Sequence, residues 1–345
     1  MERLVRAGLV LAGLLLATAA FVVPYREGSA QPARQSFDIV TGSADGGYFP
    51  VGEQIARVIS HPPGLARCEK NGVCAPSGIV VSARSSDGAV DNVLAVNEGS
   101  ASSGLAQASI VADAVAGRGP FRKAGRQSHI RVMADLFAEP VQLVVAAKSN
   151  IVSFAGLRGR RVSLGMAGTG DDAITAGILQ ALGVHDARLR RDGTDAGAVA
   201  LRDGRIDAMF VLDAAPTPAV ADLLARGTGR LVPISGKARD RVVSRVPGLS
   251  ADTIPAGAYR GTGAIETVSV HVLWIAGDTT PPDVVYGLVQ ALYNPANRGL
   301  LAGDSRPAQQ IRPGESASLM SLPLHPGAAR YYREAGLLPP PRQVR

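Results

Sequence analysis

One recurring unit constrains what this chain can fold into. A short apolar run ends in a Gly- or Ser-rich turn, and a helix pattern begins at once. The first copy is FDIVTGSADGGYFPVGEQIARVIS, Phe37 to Ser60. After its turn, Val51, Ile55, Val58 and Ile59 recur at helical spacing and define a buried face. GIVVSARSSDGAVDNVLAVNEGS (Gly78 to Ser100) repeats the design. A strand over Ile79 to Ala83 runs into Ser85, Ser86, Asp87 and Gly88, with Asp87 as N-cap and Val90, Val93 and Leu94 facing inward. SSGLAQ (Ser102 to Gln107) reads as a short buried strand before another helix. The pattern restarts in RVSLGMAGTGDDAITAGILQALG (Arg161 to Gly183), where Ile174, Ile178 and Leu182 share a face. Thr169 and Asp172 there have capping-box spacing, which pins the helix start. RIDAMFVLD (Arg205 to Asp213) is another buried strand, and AAPTPAVADLLARG begins the next helix. Two long strands, HIRVMADLF and VQLVVAAK, stand between the two sets and predict a crossing from one lobe to another. Strands alternating with helices predict βαβ units and a largely parallel sheet.

What the turns hold is narrowed by what they lack. The first offers Gly42, three other residues, then Gly46 and Gly47, so the G-x-G-x-x-G dinucleotide fingerprint is absent. No Gly-Lys-Ser/Thr ending follows, so nothing is placed to meet terminal phosphates, which argues against nucleotide binding. Free backbone N–H groups at a helix start, with the helix dipole, still favour an anion by up to about 2 kcal/mol when partly buried. The other reading is that the glycines only make a tight connection. Two such loops at strand carboxyl ends place two helix N-termini around one ligand. Enzyme signatures are missing: there is no G-x-S-x-G elbow and no H-E-x-x-H. His61, His129, His185, His271 and His325 are scattered, mostly beside prolines or at positions that read as exposed. The residues favour binding over turnover.

The N-terminus indicates where the chain works. Arg3 and Arg6 precede an uncharged apolar run, Ala7 to Val23, and Gly28-Ser29-Ala30 offers a small-residue cleavage site before Gln31. Residues 1–30 therefore read as a secretory signal peptide. The run also reaches the low end of a membrane span, so an uncleaved anchor is the alternative. Cys68 and Cys74 bracket the turn-rich EKNGV, and an oxidising compartment predicts a disulfide between them. A metal site with His61 is the other reading, although the spacing matches no C-x-x-C pattern. Net charge is +7, but the basic residues are scattered and aromatics make up 4%, which gives no basic face for nucleic acid.

Taken in order, TGSADGGYFPVG, SDGAVDN, LRGRRVSLGMAGTG, LRDGRIDAMFV, IPAGAYRGTG with the following TVSV, and HPGAARYYREAGL resemble the TAXI family of solute receptors for tripartite ATP-independent periplasmic (TRAP) transporters. The resemblance spans Phe37 to Leu337. It implies an α/β, two-lobed, type II periplasmic binding protein, each lobe a largely parallel sheet flanked by helices, with a cleft between them. Lobe 1 is expected over 36–139 plus 267–337 and lobe 2 over 140–266. The role implied is a periplasmic receptor, monomeric and without a cofactor, that passes a carboxylate-bearing solute such as a small organic acid or amino acid to TRAP permease subunits. A sensing receptor without a permease and an exported enzyme on the same scaffold are the alternatives.

Matching positions carry over Ser43, Gly47 and Tyr48 from the first turn, Ser86 and Asn92 from the second unit, and Gln107 after the third strand. From the second lobe come Gly168, Thr169 and Gly170, suited to a carboxylate. The chain departs from the pattern as well. Gly168-Thr169-Gly170-Asp171-Asp172 stands where the family commonly has Gly-Ser-Gly-Thr-Glu, Ala108-Ser109 replaces Ser-Asp, and Asp213 stands where the family is apolar or small. If Asp171 and Asp213 face the ligand, they predict a monocarboxylate with a cationic or neutral polar tail ahead of a dicarboxylate. If Asp171 only caps its helix and Asp213 meets solvent, selectivity is untouched.

Overall fold

The apolar runs pair into two sheets that share one long strand, β4 (Ile130–Ala146), in the computed structural model of the chain. The structure describes residues 33–44, 46–64, 73–303, 306–314 and 321–339. The expected signal peptide and Cys68 lie outside the described residues, so the Cys68–Cys74 pairing stays an expectation. In the first sheet β1 (Gln35–Val40) runs parallel to β2 (Ile79–Arg84) and β3 (Ser103–Gln107). Helices α1 (Tyr48–Ile59), α2 (Ala89–Asn97) and α3 (Ala108–Ala116) each follow one of these strands. β10 (Ile265–Gly277) then lies antiparallel between β3 and the first part of β4.

The second sheet is built around β5 (Arg161–Ser163), parallel to β6 (Arg188–Arg190) and β7 (Ala208–Leu212). Here α4 (Gly170–Ala181), α5 (Thr194–Arg202) and α6 (Pro218–Ala225) follow the three strands. β7 pairs antiparallel with Val141–Val145 of β4, and β8 (Gly229–Val232) pairs with β4 as well. β9 (Leu249–Ile254) extends β10. Among the described residues the remaining α-helices are α7 (Gly236–Arg245), α8 (Pro282–Leu292), α9 (Arg298–Ala302), α10 (Arg306–Gln309) and α11 (Pro326–Glu334).

The mixed α/β architecture expected from the repeat is present, with three differences of detail. Among the described residues the parallel ladders are β1–β3 and β5–β7, with one isolated parallel bridge between Val132 and Leu324, while the strands that tie the sheets together are antiparallel. The two strands read as HIRVMADLF and VQLVVAAK are one strand, continuous through Glu139 and Pro140. Pro140 sits opposite Ser269 of β10 and is followed at once by the residues that pair with β7. A proline cannot donate to a ladder, and here it marks the point where the strand changes sheets. Asp87 is not the N-cap of α2; that position is Gly88, at φ +113°. A positive φ favours glycine over aspartate, and the Gly88 N–H is met by Ser86 Oγ at 3.2 Å.

The helical faces hold in part: Leu182, expected on the buried face of α4, is half-buried at its C-cap. Val51, Ile55 and Ile59 of α1 are fully buried, as is Ile178 of α4, with Ile174 nearly so. Each such side chain contributes about 1.5–3 kcal/mol of burial. In α2, Val93 is buried together with Val96, while Val90 and Leu94 are only half-buried. His325, beside Pro326, is buried: its ring meets Thr280 O at 3.0 Å and accepts from Gly327 N–H at 3.2 Å, capping α11.

Candidate functional site

Loops from both sheets converge beside the middle of β4. Tyr48, the first residue of α1, donates its hydroxyl to Glu139 Oε2 at 3.1 Å. Gln107, the last residue of β3, donates its amide to the same oxygen at 3.4 Å and to Asp171 Oδ1 in the first turn of α4 at 3.1 Å. That second bond joins the first sheet to a helix of the second. Asp213, just past β7, completes the group: a Cβ placed on Gly47 would stand 3.2 Å from its Oδ1. Gln107 and Glu139 are each 3% exposed. Gly170 allows the approach, because a Cβ there would fall 2.3 Å from Gln107 Oε1.

The electrostatics follow from putting three carboxyl groups together out of water. Burial, then the charges of Asp171 and Asp213, push Glu139 well above the usual carboxylate range. Burial and Asp213 raise Asp171 to about 7, although Gln107 opposes this. Burial raises Asp213 to about 6, offset in part by the Ala214 N–H, which donates to it at 2.7 Å. Tyr48 is raised first by burial and then by Glu139 and Asp171. Desolvation and like charges act in the same direction on a carboxyl group. Among the described residues no group of three or more His, Cys, Asp or Glu side chains is placed to hold a metal ion.

The two helix starts expected to cradle an anion differ. α1 begins at Gly47 with no side-chain cap and no acid in its first turn, and the Asp213 carboxylate lies against it. α4 is capped by Thr169, which accepts from Asp172 N–H and donates to Met166 O at 2.7 Å. Asp172 is taken by Arg191 at 2.9 Å. For Thr169, capping is the reading whose hydrogen bonds are present. Gly168 donates weakly to Asp172 at 3.4 Å.

Of the sequence candidates, Gly47, Tyr48, Gln107, Gly170, Asp171 and Asp213 are brought together. Thr169 stands beside Gly88, whose added Cβ would lie 3.8 Å from its Cγ2. Ser43 is exposed, with its carbonyl holding the turn through Gly46 N–H at 2.9 Å. Ser86 donates to Asn92 Oδ1 at 2.6 Å, and Asn92 donates to Thr41 O and Leu105 O at 2.6 and 2.7 Å. These two residues lock the loops that position the site. Sequence reasoning missed Glu139. Its signal was an acid inside a long, largely apolar strand that also carries Asp135, a residue type almost never buried without a partner. A cavity of about 650 Å³ is lined by Ala215, two residues past Asp213, and by Gln309, Gln310 and Arg312.

The NMT1-like family profile matches residues 39–336. Among solved structures, the chain is similar to the periplasmic sulfonate-binding protein SsuA of Methylobacillus flagellatus, with 14% identity over 90% of this chain and 99% of that one and a TM-score of 0.49. It is similar to MatC of Rhodopseudomonas palustris with bound malate, with 18% identity over 88% and 97% and a TM-score of 0.49. The alkanesulfonate-binding SsuA of Xanthomonas axonopodis bound to MOPS shares 18% identity over 90% and 86%, with a TM-score of 0.44.

Proposed function

Because the chain belongs to the NMT1-like family, we propose that it is an exported solute receptor that closes two lobes over a small molecule and delivers it to a membrane transporter. The observation that carries this reading is the bond from Gln107, at the end of a strand in the first sheet, to Asp171, at the start of a helix in the second. Loops of separate sheets that meet through polar side chains around a shared strand are suited to hinge closure on a ligand. The finer reading is a receptor of the TAXI type, working in the periplasm as a monomer with TRAP permease subunits. Its lobes divide near residues 139 and 267, residues 1–30 are removed on export, and Cys68 and Cys74 are bridged. Tyr48, Gln107, Asp171 and Asp213 contact the solute, and binding rather than turnover is the activity.

The test is to recover the protein from the cell envelope, release whatever it carries and identify that solute by mass spectrometry. The solute should then raise the melting temperature, since a ligand at 100 times its Kd adds about 2.7 kcal/mol. Cells lacking the receptor should lose uptake of it. Chemical conversion of the solute by the purified protein, or uptake unchanged by deletion, would overturn the receptor reading.

A further inference from the structure

We propose that the interior of this site binds a positively charged nitrogen, the ammonium or guanidinium end of the solute. The proposal rests on the receptor reading above and narrows it to a chemical class.

Three carboxyl groups from three separate elements meet here: Glu139 from β4, Asp171 from α4 and Asp213 from the turn after β7. Few donors reach them, namely the Tyr48 hydroxyl, the Gln107 amide, which is shared between two acids, and the Ala214 N–H. Both bonds to Glu139 fall on Oε2, so Oε1 has no hydrogen bond among the described residues. Gln107 Oε1 is a second, independent sign. It is buried with no hydrogen-bond partner among the described residues, on a side chain held between Glu139 and Asp171. A buried acceptor left unmade costs about 1–3 kcal/mol. An ammonium brings three N–H donors and a guanidinium five, with no acceptor of their own. Such a group matches what the site leaves open, whereas a carboxylate would add acceptors where they are already in excess.

The surrounding charges agree. Among the described residues, the groups that bear on Glu139, Asp171 and Asp213 are each other, Tyr48, Gln107 and the Ala214 N–H, with no lysine or arginine among them. Asp172, next in α4, is paired with Arg191. Tyr259 also feels the charge of Asp213, but its hydroxyl is bonded to Gln142 and Thr217 N–H. At the α1 start, where a ligand anion would be expected, Asp213 already faces Gly47.

There is room for the rest of a solute. Gln310, on the wall of the 650 Å³ cavity, accepts from the Ala138 N–H at 3.4 Å, one residue before Glu139. Ala215, on the same wall, lies two residues past Asp213. Small-molecule sites span roughly 300–1,000 Å³. Arg312 on this wall gives a carboxylate tail a partner away from the acids.

With no cation present, a proton takes its place, as the raised values of Asp171 and Asp213 indicate. Binding a cation must displace that proton, so affinity should rise as pH rises through about 6 to 7.

The experiment is calorimetry on the mature protein with putrescine, agmatine and L-arginine as cationic probes, and with malate, succinate and potassium ion as controls. We expect at least one cationic probe to bind and the controls not to. Its binding should be about tenfold or more tighter near pH 8 than near pH 5.5, as linkage to those acids requires. Asp171→Asn and, separately, Glu139→Gln should weaken it about tenfold or more, as loss of a charge-assisted bond predicts, with circular dichroism unchanged. Malate or succinate binding that survives both substitutions would overturn the cation proposal and leave the receptor reading standing. Failure of all three cationic probes at millimolar concentration would overturn it too, as would a potassium response equal to theirs. The co-purified solute decides the receptor reading separately.

Discussion

Two buried glutamines close to the crossing strand have opposite surroundings. Gln142, in the second half of β4, donates to Asp213 O at 3.1 Å and to Thr217 Oγ1 at 3.0 Å, and it accepts from the Tyr259 hydroxyl. Tyr259 accepts in turn from Thr217 N–H at 2.9 Å. Every polar atom of the Gln142 side chain has a protein partner. Gln107, at the end of β3, spends its amide on two acids and leaves its oxygen unmet. The first network is complete and fixes a loop. The second is left open at that oxygen among the described residues. Asp213 belongs to both, with its carbonyl bound by Gln142 and its carboxyl group facing the site. The structural glutamine therefore aims one of the acids that the other glutamine helps to gather.

The sharpest way to break this comparison is pH. Asp171 and Asp213 have folded-state values raised to about 7 and about 6. The fold thus favours their protonated forms, and that stabilisation is full below the unfolded value near 4 and is lost as pH rises through 6 and 7. At about 1.4 kcal/mol per pKa unit, the unliganded protein should lose a few kcal/mol between about pH 4 and pH 8. Thermal unfolding across that range checks it, and a flat profile would mean that the acids are not held together out of water.

The next effect in size is Gln142→Leu. It strands the Tyr259 hydroxyl and a donor-acceptor set around Thr217, and should cost about 3 kcal/mol in chemical denaturation. Gly170→Ala comes third. Its new Cβ would stand 2.3 Å from Gln107 Oε1, so it must push the glutamine off Asp171 at a cost of about 1–3 kcal/mol, typical of overpacking. Ligand affinity should fall with it, measured by the same titration. Smallest, and opposite in sign, is Glu139→Gln. It removes one of the crowded ionisable groups while keeping an acceptor for Tyr48 and Gln107, and should leave stability near pH 8 unchanged or raised by about 1 kcal/mol, because the group that burial and its acidic neighbours disfavour as an anion is gone. If Glu139→Gln destabilised the fold as much as Gln142→Leu, the two networks would both be structural and the distinction drawn between them would fail.

Much of this was legible beforehand, and the exceptions have a common cause. The buried faces of α1 and α4 and the Thr169 cap involve residues within a turn or two of each other, where helical spacing alone brings side chains together. Asp171 and Asp213 were identifiable as departures from a family pattern, although not as neighbours. Glu139 was missed because the strand that carries it reads as two pieces separated at Pro140, and the break hid an acid in mid-strand. Ser86 and Asn92 were read as ligand candidates from their positions, while the hydrogen bonds they make depend on the carbonyls of Thr41, just past β1, and Leu105 in β3, which the sequence does not place beside them.

By itself the sequence determined the local elements: the strand–turn–helix units, their buried faces and the absence of nucleotide and nucleophile motifs. These depend on periodicity and backbone conformation over a few residues. Only the tertiary structure decided that Glu139, Asp171 and Asp213 share one site, since β4 carries the chain from β10 to β7 and the loops of both sheets close on its midpoint. Charge and desolvation act through space, so acids distant in the chain become one electrostatic group only when strand pairing removes the water between them.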